Sequence, residues 1–173
     1  VLFWGWESKA DEVLSQGNKK TDIVIKVFSS LTCPYCSKFH LEVFENLKKE
    51  YIDKGKVRFE HHSFPLDLAA LNADKIVRCT SENIKSFELL SELYKAQNEW
   101  AVGSDINKIN DNIKKIGKNL GLNESAMNKC LEDDELQDRI LNERINAQKN
   151  YKISSTPTIY INDKKYEKKY NYK

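Results

Sequence analysis

The residues best able to do chemistry in this sequence are its four cysteines, of which Cys33 and Cys36 form a C-x-x-C pair while Cys79 and Cys130 stand alone. Such a pair can serve reversible dithiol-disulfide exchange, half of a zinc site, or a fixed structural bridge. Pro34 and Tyr35 fill the gap, so no histidine lies inside the motif. His40, four residues after Cys36 on the same helical face, reads first as a packing residue, with tuning of the thiols or joining them on a metal as alternatives, although a fourth ligand is not evident. His61 and His62 are adjacent, so in a strand they point to opposite faces and suit neither a shared ligand nor an acid/base dyad. Asn123-Glu124-Ser125 has the glycosylation spelling, but Asn123 reads as a helix cap.

Placement decides what the pair can do. Residues 22–28 (DIVIKVF) form a β-branched run with Ile23, Ile25 and Val27 on one face, which predicts a buried strand. Beyond Ser29 and Ser30, Phe39, Val43, Phe44 and Leu47 recur at helical spacing up to Lys54-Gly55, with Pro34 suited to the first helical turn. Residues 56–64 alternate as a second strand, so the first third reads as a β-α-β unit with parallel strands. Cys33 then sits where a strand enters a helix. Free N–H groups and the helix dipole favour a thiolate there, while Cys36 lies one turn inside and shielded. Cys33 is the expected exposed nucleophile and Cys36 the resolving thiol. Lowering a thiol pKa from about 8.5 to about 4.5 favours the reduced form at pH 7 by about 3.4 kcal/mol, or about 75 mV.

Residues 67–150 are helical in pattern, with Ile84, Phe87 and Tyr94 on one stripe and Ile106, Ile109, Ile113, Ile116 and Leu120 on another. Asp67, Ser81, Asp105 and Asn123 fit N-caps, and Gly117 and Gly121 fit breaks. Cys79 and Cys130 fall near the ends of two of these segments, where a structural disulfide is expected, with two buried free thiols as the alternative. A last strand, residues 158–161, turns at Asn162-Asp163 into residues 164–170. The lysines of residues 164–173 suit an edge strand that resists further pairing. The apolar start, residues 1–6 (VLFWGW), is expected to pack on the domain.

The 173 residues are 40% hydrophobic and 31% charged, enough for one globular domain with a real core and incompatible with disorder. Twenty-eight basic against 26 acidic residues leave a formal charge of +2, which argues against nucleic acid as a partner. No apolar run approaches the roughly 18 residues of a membrane helix. The start lacks a basic signal region, so the expectation is a soluble chain whose export signal has gone.

Strand, C-x-x-C, helix and a downstream Thr156-Pro157 at a strand entrance together resemble the thioredoxin superfamily, and the helical insertion resembles its bacterial DsbA-like thiol:disulfide oxidoreductases. The resemblance covers about residues 22–166 and is sharpest at residues 29–36 (SSLTCPYC), 64–67 (FPLD), Thr156-Pro157 and 161–163 (IND). It implies an α/β thioredoxin fold with a core of residues 1–66 and 151–173 and an inserted helical subdomain of residues 67–150. It also implies that Cys33 and Cys36 are catalytic, that Thr156 and cis-Pro157 form a substrate-facing loop, and that no organic cofactor or metal takes part. The expected partners are unfolded or partly folded cysteine-containing proteins and a DsbB-like or DsbD-like membrane redox protein. The expected location is periplasmic or otherwise extracytoplasmic.

Three features depart from that family. Many relatives bury an acid six residues before the first cysteine, where this chain has Val27 with Lys26 beside it. The sequence stops at Lys173 where relatives have another core helix, and Pro-Tyr stands where oxidases often have Pro-His. Pro-Tyr with Thr before the proline resembles the DsbC-like and DsbG-like isomerases. Only about 20 residues precede the first expected strand, too few for an oligomerisation domain, so a monomeric oxidase is expected ahead of an isomerase or reductase.

Overall fold

The computed structural model describes residues 13–79 and 83–173. The apolar stretch 1–6, the cap expected at Ser81 and the side chain of Ile84 lie outside the described residues.

A five-stranded mixed sheet is built from β1 (Leu14–Gly17), β2 (Val24–Ser29), β3 (Arg58–Ser63), β4 (Thr158–Ile161) and β5 (Lys164–Lys165), in the order β1-β3-β2-β4-β5. The β2-β3 pair is parallel, as a β-α-β unit requires, and the other pairs are antiparallel. Two points differ from the sequence expectation. Ile23 precedes β2 and is 44% exposed, so the buried face of that strand is Ile25 and Val27. β1 was not expected, because four residues with one buried side chain carry little pattern. It ends at Gly17, with φ +101°, where an added Cβ would collide with the carbonyl of Val57.

The crossover between β2 and β3 is one continuous helix, α1 (34–52), in which turns of ordinary α geometry alternate with π-helical turns at His40–Phe44 and Lys48–Ile52. Phe44 anchors the first of these, stacked on His40 at 4.4 Å and packed on Phe59 at 4.6 Å. Between β3 and β4 run α2 (Leu68–Cys79), α3 (Asn83–Lys95), α4 (Gln97–Trp100), α5 (Ile106–Asn119), α6 (Glu124–Glu132) and α7 (Asp134–Asn150). Asp67, Asp105 and Asn123 accept N–H bonds at the first turns of α2, α5 and α6, and Asp133 does the same for α7. Gly117 is not a break: it lies buried inside α5, where a Cβ would come within 2.5 Å of the Met127 sulfur. The chain turns instead at Gly121, with φ +86°.

The main core fills one face of the sheet, where Ile25, Val27, Phe59 and Ile159 meet Phe39, Phe44, Phe87, Leu90 and Leu93. On the opposite face Phe28, Phe64, Ala147 and Ile153 pack with Tyr151 and Tyr160. The β4-β5 hairpin turns through Asn162 and Asp163, both with positive φ, and Tyr166 and Tyr170 then fold back onto the main core. Pairing continues for only two residues, so the rest of the lysine-rich segment is irregular. Among the described residues no helix is long and apolar enough to cross a membrane.

A disulfide joins Cys79 at the end of α2 to Cys130 in α6, with a Cα–Cα distance of 5.7 Å. It closes a separation of 51 residues. Removing it from the denatured chain's constraints is worth about 4 kcal/mol on the chain-entropy argument. Urea unfolding of the Cys79→Ala/Cys130→Ala double variant should therefore show a loss of about 2–4 kcal/mol. An unchanged midpoint would mean that the bridge carries no stability.

Candidate active site

The β2-α1 junction is built to hold Cys33 in one position. The Cys33 N–H donates to the Ser30 carbonyl at 3.1 Å, and its own carbonyl accepts the N–H groups of Cys36 and Ser37, both at 3.1 Å. Pro34 occupies the first helical turn, where it lacks only a donor that the helix would leave unused. Ser30 Oγ accepts the Leu66 N–H at 3.3 Å, and Thr32 Oγ1 donates to Asp67 Oδ2 at 2.9 Å. Asp67 thus caps α2 and ties its start to the cysteine loop.

Across from this turn the Thr156–Pro157 peptide bond is cis. It brings the Thr156 carbonyl to 3.5 Å from Cys33 Sγ, which donates to it in the thiol form. This loop covers Cys33, so the exposed nucleophile expected from the sequence is instead 7% exposed, against 1% for Cys36. Tyr35 projects outward, 75% exposed, from between the two.

The two thiols are driven apart in acidity. Cys33 is lowered to about 5, first by a hydrogen bond from the Cys36 thiol, then by Thr156 and by the backbone N–H groups of Cys36 and Tyr35. The Thr156 hydroxyl acts on both sulfurs of the pair. Cys36 is pushed up, first by burial and then by its neighbour Cys33. One ionised and one neutral sulfur share a single proton-donating contact, the arrangement needed for a good leaving group beside a stored proton.

His40 is not directed at the thiols. Its Nε2 lies 2.7 Å from Ser91 Oγ, and its ring stacks on Phe44 and tilts against Tyr94 at 4.9 Å. Burial lowers its pKa to about 3, so it brings no charge to the site. Among the described residues no three His, Cys, Asp or Glu side chains converge to hold a metal ion, which leaves Cys33, Cys36 and His40 without the zinc arrangement considered from the sequence. His61 faces the core, 4.0 Å from Asp74, whose carboxyl also accepts from Ser63 Oγ at 3.1 Å and is raised by burial. His62 faces the other side and pairs with Glu60 at 2.9 Å.

Several groups at the site escaped the sequence reading. Gln97 Nε2 donates to the carbonyls of Leu31 at 2.7 Å and Cys33 at 3.1 Å. Ser37 Oγ donates to the Tyr94 carbonyl at 2.9 Å, and Tyr170 packs edge-on against Phe39 at 6.1 Å. A glutamine between helical runs gives no local signal of such contacts. Lys26, beside the position of the family's missing acid, is bound to Asp163 at 2.8 Å and to the Tyr151 hydroxyl at 3.1 Å.

A thioredoxin family model matches residues 9–173. Over 147 residues the chain is 31% identical to a putative protein-disulfide oxidoreductase of Rickettsia bellii, covering 84% of this chain and 55% of the relative. It is 26% identical to disulfide bond formation protein D of Bacillus subtilis, covering 86% and 67% respectively. The chain thus spans little more than half the length of the Rickettsia relatives it matches. Among solved structures, Wolbachia pipientis alpha-DsbA1 superposes with a TM-score of 0.82 at 28% identity, covering 92% of this chain and 80% of that one. Oxidised BdbD of Bacillus subtilis shares the fold, with a TM-score of 0.80 at 19% identity, 92% and 86% being covered. Sheet order, helical insertion, cysteine turn and these likenesses agree: the chain belongs to the thioredoxin family and is a DsbA-like member of that superfamily.

Proposed function

We propose that the protein is a thiol:disulfide oxidoreductase that introduces disulfides into exported proteins through Cys33 and Cys36. The observation that carries this reading is the opposed acidity of the pair, Cys33 at about 5 beside a Cys36 held neutral by burial. In the oxidised enzyme a substrate thiolate attacks Cys33 Sγ, the Cys33–Cys36 bond breaks, and Cys36 leaves and takes up a proton. A second substrate thiolate then attacks the substrate sulfur of the mixed disulfide, and Cys33 departs as a stable thiolate. Two electrons pass to the pair and the substrate gains one disulfide. Thr156 and Pro157 line the approach to Cys33 and offer the backbone to an extended, partly folded substrate chain. Pro34 and Tyr35 shape the turn between the thiols.

Regeneration calls for a second protein, a DsbB-like membrane partner that reoxidises the pair of an oxidase or a DsbD-like one that reduces the pair of a reductase. Work on exported substrates places the enzyme outside the cytoplasm, a reading supported by the Cys79–Cys130 bridge, since such bridges persist in oxidising compartments. The division into a thioredoxin-like core of residues 1–66 and 151–173 and an inserted helical subdomain of residues 67–150 belongs to the same reading.

The depressed pKa has a definite sign. Relative to an unfolded thiol at about 8.5, the Cys33 thiolate stabilises the reduced fold fully above that pH, and the contribution disappears as the pH falls through about 5. Alkylation of Cys33 in reduced protein should accordingly be flat above about pH 6 and half-maximal near pH 5. Cys36→Ala, which removes the donating thiol, should move that midpoint upward relative to Cys36→Ser, which keeps a donor. A midpoint at about 8 or above would sink the proposal.

Function is tested by oxidation of a reduced dithiol peptide alongside refolding of a scrambled, multiply bridged protein. Fast peptide oxidation with slow unscrambling is expected. The reverse result, from an oligomer by light scattering, would establish a DsbC-like or DsbG-like isomerase instead. Cys33→Ser should abolish both reactions, while Cys36→Ser should accumulate mixed disulfides with substrate, visible on non-reducing gels.

A further inference from the structure

We infer that Gln97 is a positioning residue for the redox pair, its side-chain amide clamping the turn at residues 31–33 in the geometry that makes Cys33 reactive. The inference rests on the oxidoreductase reading and assigns that site a residue outside both the C-x-x-C and the Thr156-Pro157 segments.

A primary amide carries two N–H donors. Those of Gln97 end on the carbonyl oxygens of Leu31, at 2.7 Å, and Cys33, at 3.1 Å, and the side chain is buried. The two carbonyls belong to the Leu31–Thr32 and Cys33–Pro34 peptide planes, so a single side chain ties the backbone that enters the turn to the backbone that leaves Cys33. Its own position is fixed in turn. Gln97 opens α4, which closes with the fully buried Trp100, whose Nε1 donates to the Leu93 carbonyl at 2.7 Å. The backbone of the same turn is tied by bonds from Glu99 and Trp100 to the Ala96 carbonyl.

The contact also bears on how the thiolate is stabilised. The Cys33 carbonyl receives three N–H groups, from Cys36, Ser37 and Gln97, each at 3.1 Å. A carbonyl oxygen has two lone pairs, so the three donors share it. The Cys36 N–H is also one of the groups that favour the Cys33 thiolate. By occupying part of the shared acceptor, Gln97 weakens the pull of the helix bond on that N–H and leaves it available to Sγ. Without the amide, both carbonyls lose a buried partner. The Cys33 carbonyl keeps its two helix donors, so the Leu31 carbonyl is the one that must find another, and as the turn rotates to supply it the N–H groups aimed at Sγ rotate too.

The test compares Gln97→Leu and Gln97→Met, the latter unbranched and nearly of equal length, with wild type and with Ile140→Ala, which opens a cavity in the separate cluster of Leu71, Leu136 and Ile140. Thiolate absorbance against pH, the equilibrium with glutathione and Tm are measured on the reduced proteins. Both Gln97 variants should titrate about one pH unit higher, shifting the glutathione equilibrium at pH 7 about tenfold, or about 30 mV, toward the disulfide. Ile140→Ala should lower Tm and leave the titration in place. Gln97 variants that lose Tm but titrate with wild type would reduce the residue to packing and overturn the inference while the oxidoreductase reading stands. Wild-type protein titrating near 8.5 would instead remove that reading and the inference with it.

Discussion

Two thiols within one helical turn must hold opposite protonation states, and most of what surrounds them serves that demand. A charge on Cys36 would be buried beside the charge on Cys33, so ionisation of the first suppresses ionisation of the second. The helix start supplies the first requirement by aiming the Tyr35 and Cys36 N–H groups at Cys33, beside the Cys36 thiol. The core supplies the second by closing over Cys36 until 1% of its surface remains. Neither requirement can be met by the C-x-x-C segment alone. The turn needs α2 through Asp67, α4 through Gln97 and the Thr156–Pro157 loop, each from a different part of the chain.

What the sequence displays is what local chemistry determines. A β-branched run, an apolar helical stripe and alternating residues announce β2, α1 and β3, and the caps Asp105 and Asn123 stand where the helices begin. Asn162-Asp163 marks a hairpin because few residue pairs accept positive φ at both central positions. The hidden features share a different origin. The π-helical turn at His40–Phe44 accompanies the packing of Phe44 against Phe59 and Phe87, contacts from other elements that no spacing within the helix reveals. β1 has only Leu14 buried and pairs antiparallel at the sheet edge, so its pattern is no stronger than that of a loop.

The same division holds at the site. Cysteine spacing and proline placement are visible in one dimension, whereas the burial of Cys33 depends on a loop more than 120 residues away in the chain. His40 shows the converse, since helical spacing puts it near Cys36 while packing turns its ring to Ser91 and Tyr94. A residue can share a helix with a reactive group and still be electrically silent toward it, because burial has taken its charge away.

The Cys79–Cys130 bridge encloses α3, α4 and α5, and therefore the segment that carries both Tyr94 and Gln97. These are the contacts through which the insertion grips the cysteine turn. A chain without this bridge holds the supporting arm by packing and a few side-chain hydrogen bonds. The permanent bridge thus reaches the transferable one at a distance: its loss would loosen Tyr94 and Gln97 without altering a single residue of the cysteine turn.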